Sequence, residues 1–98
     1  MTKEYKSAIT RGGGILTPEK IIITYNAVTW KKRNNHLIGI DTKTIPISGI
    51  AGIEIDQKIW GANITINSVG QGTIFAKNFS ASYARAIKSD IETLMNSK

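Results

Sequence analysis

Residues 44–55 read TIPISGIAGIEI. Isoleucine stands at 45, 47, 50, 53 and 55, with Pro46, Gly49 and Gly52 set among them. A strand buried on one face repeats every two residues, so Ile45 and Ile47 call for further large apolar side chains at 49 and 51. Gly49 and Ala51 stand there instead. Alternation resumes at Ile53 and Ile55, with Glu54 and Asp56 on the opposite, wet face. Glycine inside a strand pattern marks a bend, a bulge or a close backbone approach. The stretch therefore predicts the end of one strand, a corner plugged by Ile50, and the start of a strand in a second sheet. Gly49 and Gly52 are expected to let the backbone bend around Ile50.

Working back toward the N-terminus, β-branched and aromatic residues predict a strand over 21–25, and Tyr25-Asn26 a turn. The next strand, 28–33, points Val28 and Trp30 inward and Thr29 and Lys31 outward. Asn34-Asn35 signals a hairpin, because asparagine tolerates the positive φ of tight turns. A strand over 36–40, with Ile38 and Ile40 on one face, a second turn at Asp41-Thr42 and a strand over 43–47 complete this half. Residues 1–11 fit a short helix or a first strand, Gly12-Gly13-Gly14 break it, and 15–18 reads extended.

Beyond the corner, Ile64 and Ile66 alternate with Asn63, Thr65 and Asn67 in a strand. Val69-Gly70-Gln71-Gly72 reads as a hairpin loop, and 73–77 as the last strand. The period then changes to that of a helix. Tyr83, Ala84, Ile87, Ile91, Leu94 and Met95 fall on one stripe, with Arg85, Lys88 and Glu92 opposite. Ser80 is the expected N-cap, and Phe79 and Tyr83 the core residues that anchor the helix. The sum is a mainly β chain: a barrel or sandwich of about seven short strands, capped by one α-helix over about 80–96. A length of 98 residues suits a single domain over 1–98, with 1–14 a flexible or peripheral segment.

Composition narrows the class. The chain has no cysteine, which removes disulfides and thiolate metal sites and suits a reducing compartment. The opening MTKEYKSAIT lacks the apolar stretch of a signal peptide, and no apolar run approaches the roughly 20 residues of a membrane span. A cytoplasmic protein is expected, with a peripheral place at a membrane as the variant its charge allows. Thirteen Lys and Arg against seven Asp and Glu give a net charge of +6, which favours anionic partners such as phospholipid headgroups or nucleic acid.

Taken in order, "LTPEKIIIT", "VTWKKRNNHLIGI", "TIPISGIAGIEI", "GANITI" and "GQGTIFAKNF" before a terminal helix resemble the pleckstrin-homology superfold in its bacterial PH-like, GRAM-like form. The most telling element is Ile45, Pro46, Ser48, Ile50 and Ile53, followed later by Gly61 before an alternating strand. The resemblance spans residues 15–96. It implies two nearly orthogonal antiparallel sheets with a helix over one open end, and a binding or scaffolding role rather than chemistry. In eukaryotic members basic residues near the open end hold phosphoinositide headgroups. That signature, basic residues flanking the first hairpin at set spacing, is not matched here.

The chemistry points the same way. His36 is the single histidine, and no Ser-His-Asp order is visible. Glu54 and Asp56 share the polar face of a strand, where a solvated role outweighs acid–base work. Adding Asp41 makes three carboxylates with no cation-binding loop behind them. No enzyme activity, cofactor or metal is expected. The dense basic cluster Lys31-Lys32-Arg33, with His36 and Lys43, is the candidate anion site, weighed against charge that only keeps a hairpin soluble. Trp60, beside Gly61 at a loop, is the candidate partner contact. Protein contact, self-association included, is the first functional expectation. An anionic membrane or nucleic acid surface, met through the basic hairpin, is the second.

Overall fold

The computed structural model of the chain describes residues 2–7, 19–33 and 40–97. Strands β1 (Thr2–Lys6), β2 (Glu19–Thr24), β3 (Ala27–Arg33) and β4 (Ile40–Pro46) form an antiparallel sheet in that order. Strands β5 (Ile50–Gln57), β6 (Ala62–Ser68) and β7 (Thr73–Phe79) form a second antiparallel sheet, and helix α1 (Ala81–Asn96) follows. The mainly β class with one C-terminal helix is as expected. The barrel is not: among the described residues no strand pairing joins the two sheets, so the core lies between open sheets and under the helix.

The N-terminus resolves as strand, with Thr2 opposite Thr24 and Lys6 opposite Lys20. Asp41-Thr42 is no turn. Both residues sit inside β4, Asp41 opposite Lys32 and Thr42 opposite Lys31, in a ladder that runs unbroken from Arg33–Ile40 to Ala27–Pro46. Local turn propensity loses there to seven consecutive cross-strand positions. Ile40 is exposed. The expected triglycine break, the extended 15–18, the Asn34-Asn35 hairpin, Ile38 and His36 lie outside the described residues.

The corner exists, but two devices other than glycine freedom build it. Ile47–Gly49 form one turn of 3₁₀ helix, entered through Pro46 at φ −65°. Ile47 N–H donates to Asn26 O at 2.8 Å, and Val69 N–H donates to Gly49 O at 2.9 Å. These bonds tie the corner to a turn of each sheet. A β-bulge follows: Ile50 faces Ser68 and Gly52 faces Asn67, so Ala51 is the extra residue. Ile50 is buried as expected, while Ile53 and Ile55 are partly buried against the core. Gly52 has open space around its missing Cβ and a φ outside the left-handed region. Gly52→Ala is therefore expected to raise stability by about 0.4–1 kcal/mol, through lost freedom of the unfolded chain. Urea unfolding checks it, and a lower midpoint would return Gly52 to the corner.

A second bulge adjusts β7. Ile64 faces Ala76 but Ala62 faces Phe79, which leaves one residue extra on β7. Asn78 takes φ 66° there, a conformation asparagine tolerates. Its N–H donates to Asn63 Oδ1 at 3.1 Å. The shift brings Phe79 into the core with Ile74 and Ala76. Helix α1 begins at the expected cap, Ser80 Oγ accepting from Tyr83 N–H at 3.1 Å. Ala84, Ile87, Ile91 and Leu94 are buried. Tyr83 is not a core residue: it stands about 100° around the helix from Ala84 and remains 46% exposed.

Candidate functional site

The expected anion cluster is divided by the pleat. Ile21, Ile23, Val28 and Ile45 fix the inner face of the first sheet. Lys31 therefore stands on the outer face, while Lys32 and Lys43 share the inward parity of Val28 and Ile45. Arg33 ends β3 opposite Ile40. Lys43 is engaged: its ammonium donates to Thr73 O at 3.0 Å. The outer face brings Lys31 other neighbours. Lys20 lies directly opposite it on β2, and Lys6 directly opposite Lys20 on β1. Lys20 was not legible as outward, because the run Ile21-Ile22-Ile23 carries no alternation to set the face. Nor was Lys6, because its place depends on pairing over 14 residues of sequence.

Glu19 carries a role no local pattern reveals. It is 5% exposed, the buried charged residue among those described. Its Oε1 accepts from Trp30 Nε1–H at 2.8 Å and from the backbone N–H of Lys77 at 3.1 Å. Its own backbone exchanges bonds with Ser7, whose Oγ and N–H meet Glu19 N–H and O at 2.8 Å each. Glu19 and Lys43 thus satisfy, from the first sheet, two edge groups of β7, the N–H of Lys77 and the carbonyl of Thr73, without closing the sheets into a barrel.

A second polar clasp holds β1 to the helix. Asp90 Oδ2 accepts from Tyr5 Oη–H at 2.6 Å, and Asp90 Oδ1 meets Lys3 Nζ at 3.1 Å. The Tyr5 ring meets Tyr83 edge-on, with centroids 5.4 Å apart and planes at 67°. Burial first, then the hydrogen bond and negative charge of Asp90, push the Tyr5 phenol up to about 12 from 10.0. A folded-state value above the unfolded one means that the neutral phenol is the stabilising form. Its contribution is whole below pH 10 and is lost as pH rises from 10 toward 12. The stability gap between the wild type and Tyr5→Phe is expected to narrow over that window, as read by urea unfolding at stepped pH. A gap constant to pH 12 would contradict the clasp.

The β5–β6 hairpin carries Trp60. Lys58 N–H donates to Gly61 O at 2.6 Å and Gly61 N–H to Lys58 O at 3.4 Å, which leaves Ile59 and Trp60 as the tip. Ile59 is fully exposed and Trp60 is 45% exposed. Gly61 is required by a close approach: a Cβ there would stand 2.5 Å from Phe79 O. Phe75, on the outer face of the same sheet, and Val69, at the β6–β7 turn, are also exposed.

Glu54 and Asp56 stand in water, Asp56 paired with Lys58 at 2.9 Å. Among the described residues no three of His, Asp or Glu gather where a metal ion would sit, and no helix is long and apolar enough to cross a membrane. No protein-family model and no curated protein matches the chain.

Proposed function

We propose that this chain is a non-enzymatic binding module of PH-like design that works by protein contact, through the Ile59-Trp60 tip. The observation that carries this is the apolar tip itself. A fully exposed isoleucine beside a half-exposed tryptophan loses water-exposed apolar surface only when something covers it. Tryptophan is also the residue type most enriched where protein contacts concentrate their energy. A second copy of the chain is the simplest occupant, since tip-to-tip pairing about a two-fold axis needs no complementary chemistry. The PH-like assignment is supported by the corner at 47–51, by the four- and three-stranded sheets, and by side chains of β2 and β4 reaching two edge groups of β7.

Size-exclusion chromatography with light scattering tests the proposal. The wild type is expected to rise above monomer mass as its concentration increases, and Ile59→Asp to remain monomeric at unchanged melting temperature. A wild type that stays monomeric across the range would reject self-association.

A further inference from the structure

Register assembles a row of like charges that no run of sequence displays. Lys6, Lys20 and Lys31 occupy directly opposite positions on β1, β2 and β3, and Thr42 continues the row on β4. All three lysines lie on the outer face, opposite in parity to the buried Ile21, Ile23 and Val28. Strands run about 4.8 Å apart, so the three stems leave the sheet along a line of roughly 10 Å. Cross-strand like charges oppose sheet formation, and this face holds two such pairs side by side. The next row along the strands is Glu4, Ile22, Thr29 and Thr44. Glu4 Oε2 lies 3.6 Å from Lys20 Nζ, both side chains 43% exposed, so one carboxylate partly offsets one of the three ammonium groups. The Thr29 and Thr44 hydroxyls lie 3.0 Å apart and add hydrogen-bonding groups next to the lysines.

We infer that this face binds the phosphodiester backbone of single-stranded nucleic acid, at a surface separate from the Ile59-Trp60 tip. The complement of a line of ammonium groups is a line of negative charge, and a polynucleotide supplies one phosphate per nucleotide along a flexible chain. Neither row carries an aromatic ring on which a base would stack, so recognition is of the backbone and is independent of sequence. A lipid surface fits less well, because the only apolar side chain in the two rows is Ile22, which is partly buried in the sheet. The effect of binding on the protein follows from the same geometry: phosphates placed over the row relieve the repulsion between its members.

Fluorescence anisotropy with labelled oligothymidine, titrated at stepped salt, tests the inference. Three phosphate contacts give a slope of log affinity against log salt of about −2 on a single strand. The triple variant Lys6→Gln, Lys20→Gln, Lys31→Gln is expected to bind at least about tenfold more weakly, with most of that slope gone, and to melt no lower than the wild type. A control with the same charge change elsewhere, Lys77→Gln, Arg85→Gln, Lys88→Gln, is expected to lose no more than about threefold. Should the triple variant fail to fold, Lys20→Gln alone carries the test, with a loss of about threefold expected. Absence of binding at low salt would overturn the inference, as would equal losses in both triple variants. So would row-dependent binding to phosphatidylserine vesicles without binding to the oligonucleotide, which would assign the face to a lipid surface.

Discussion

Ile50→Asp is expected to lower stability by about 4–5 kcal/mol. Ile50 is 7% exposed and closes the turn from the first sheet into the second. Replacing it forfeits about 2 kcal/mol of apolar burial. The new carboxylate must then either stay charged in the apolar core or take up a proton, at a further cost on the order of 2–3 kcal/mol. The total approaches the lower end of the roughly 5–15 kcal/mol that holds a domain of this size together. The same change at Ile59, fully exposed, is expected to be near neutral. Circular dichroism melts of the two variants read the contrast directly. Matching melting temperatures would mean that Ile50 does not plug the corner.

Gly61→Ala is the second large effect. The Cβ it adds would stand 2.5 Å from the carbonyl oxygen of Phe79, a backbone atom that cannot swing aside. Phe79 is held on one side by pairing with Ala62 and on the other by its buried ring. Relief therefore requires the end of the β6–β7 ladder to open or the hairpin to shift, at a cost of about 2–3 kcal/mol. A fall in melting temperature of about 10 °C or more is expected, because 1 kcal/mol is worth about 4–8 °C in a domain of this size. Gly49 offers the comparison. Its added Cβ would also come within 2.5 Å of a neighbour, but that neighbour is Gln71 Oε1, the free end of an exposed side chain that can rotate away. A Gly61→Ala variant that melts with the wild type would show that the hairpin tolerates the shift.

The difference between these glycines marks what a one-dimensional pattern can and cannot carry. Period-two alternation located Val28, Ile45, Ile64 and Ile66 on the inner faces, and the change of period located α1 to within a residue of its cap. Such signals are local: each needs only the chain's own pleat or helical repeat. The corner was legible for the same reason, as a broken repeat, although the bulge at Ala51 rather than Gly52 produces it. Whatever depends on pairing was not legible. Asp41-Thr42 has the composition of a turn, and only its register against Lys31 and Lys32 reveals a strand. Glu19 sits in a polar stretch, yet Trp30 and Lys77 converge on it from distant parts of the chain. The candidate site behaves likewise. Lys31-Lys32-Arg33 is dense in sequence, but the pleat separates Lys31 from Lys32, and Lys43 is drawn to β7. Lys6, Lys20 and Lys31, scattered in sequence, become neighbours. Trp60 was visible as a tryptophan beside a glycine. The full exposure of Ile59 follows from the two bonds that close the Lys58–Gly61 turn.

The claim that the β5–β6 tip is a protein-contact surface is tested most directly by proton–nitrogen correlation spectra at stepped protein concentration. Two indole N–H signals report on it: Trp30, whose N–H is bonded to Glu19, and Trp60 at the tip. The Trp60 indole and the amides of residues 58–61 are expected to shift as concentration rises, the Trp30 indole to stay fixed, and Ile59→Asp to abolish the dependence. Spectra independent of concentration, or shifts centred on α1 or the first sheet with the tip unmoved, would contradict it.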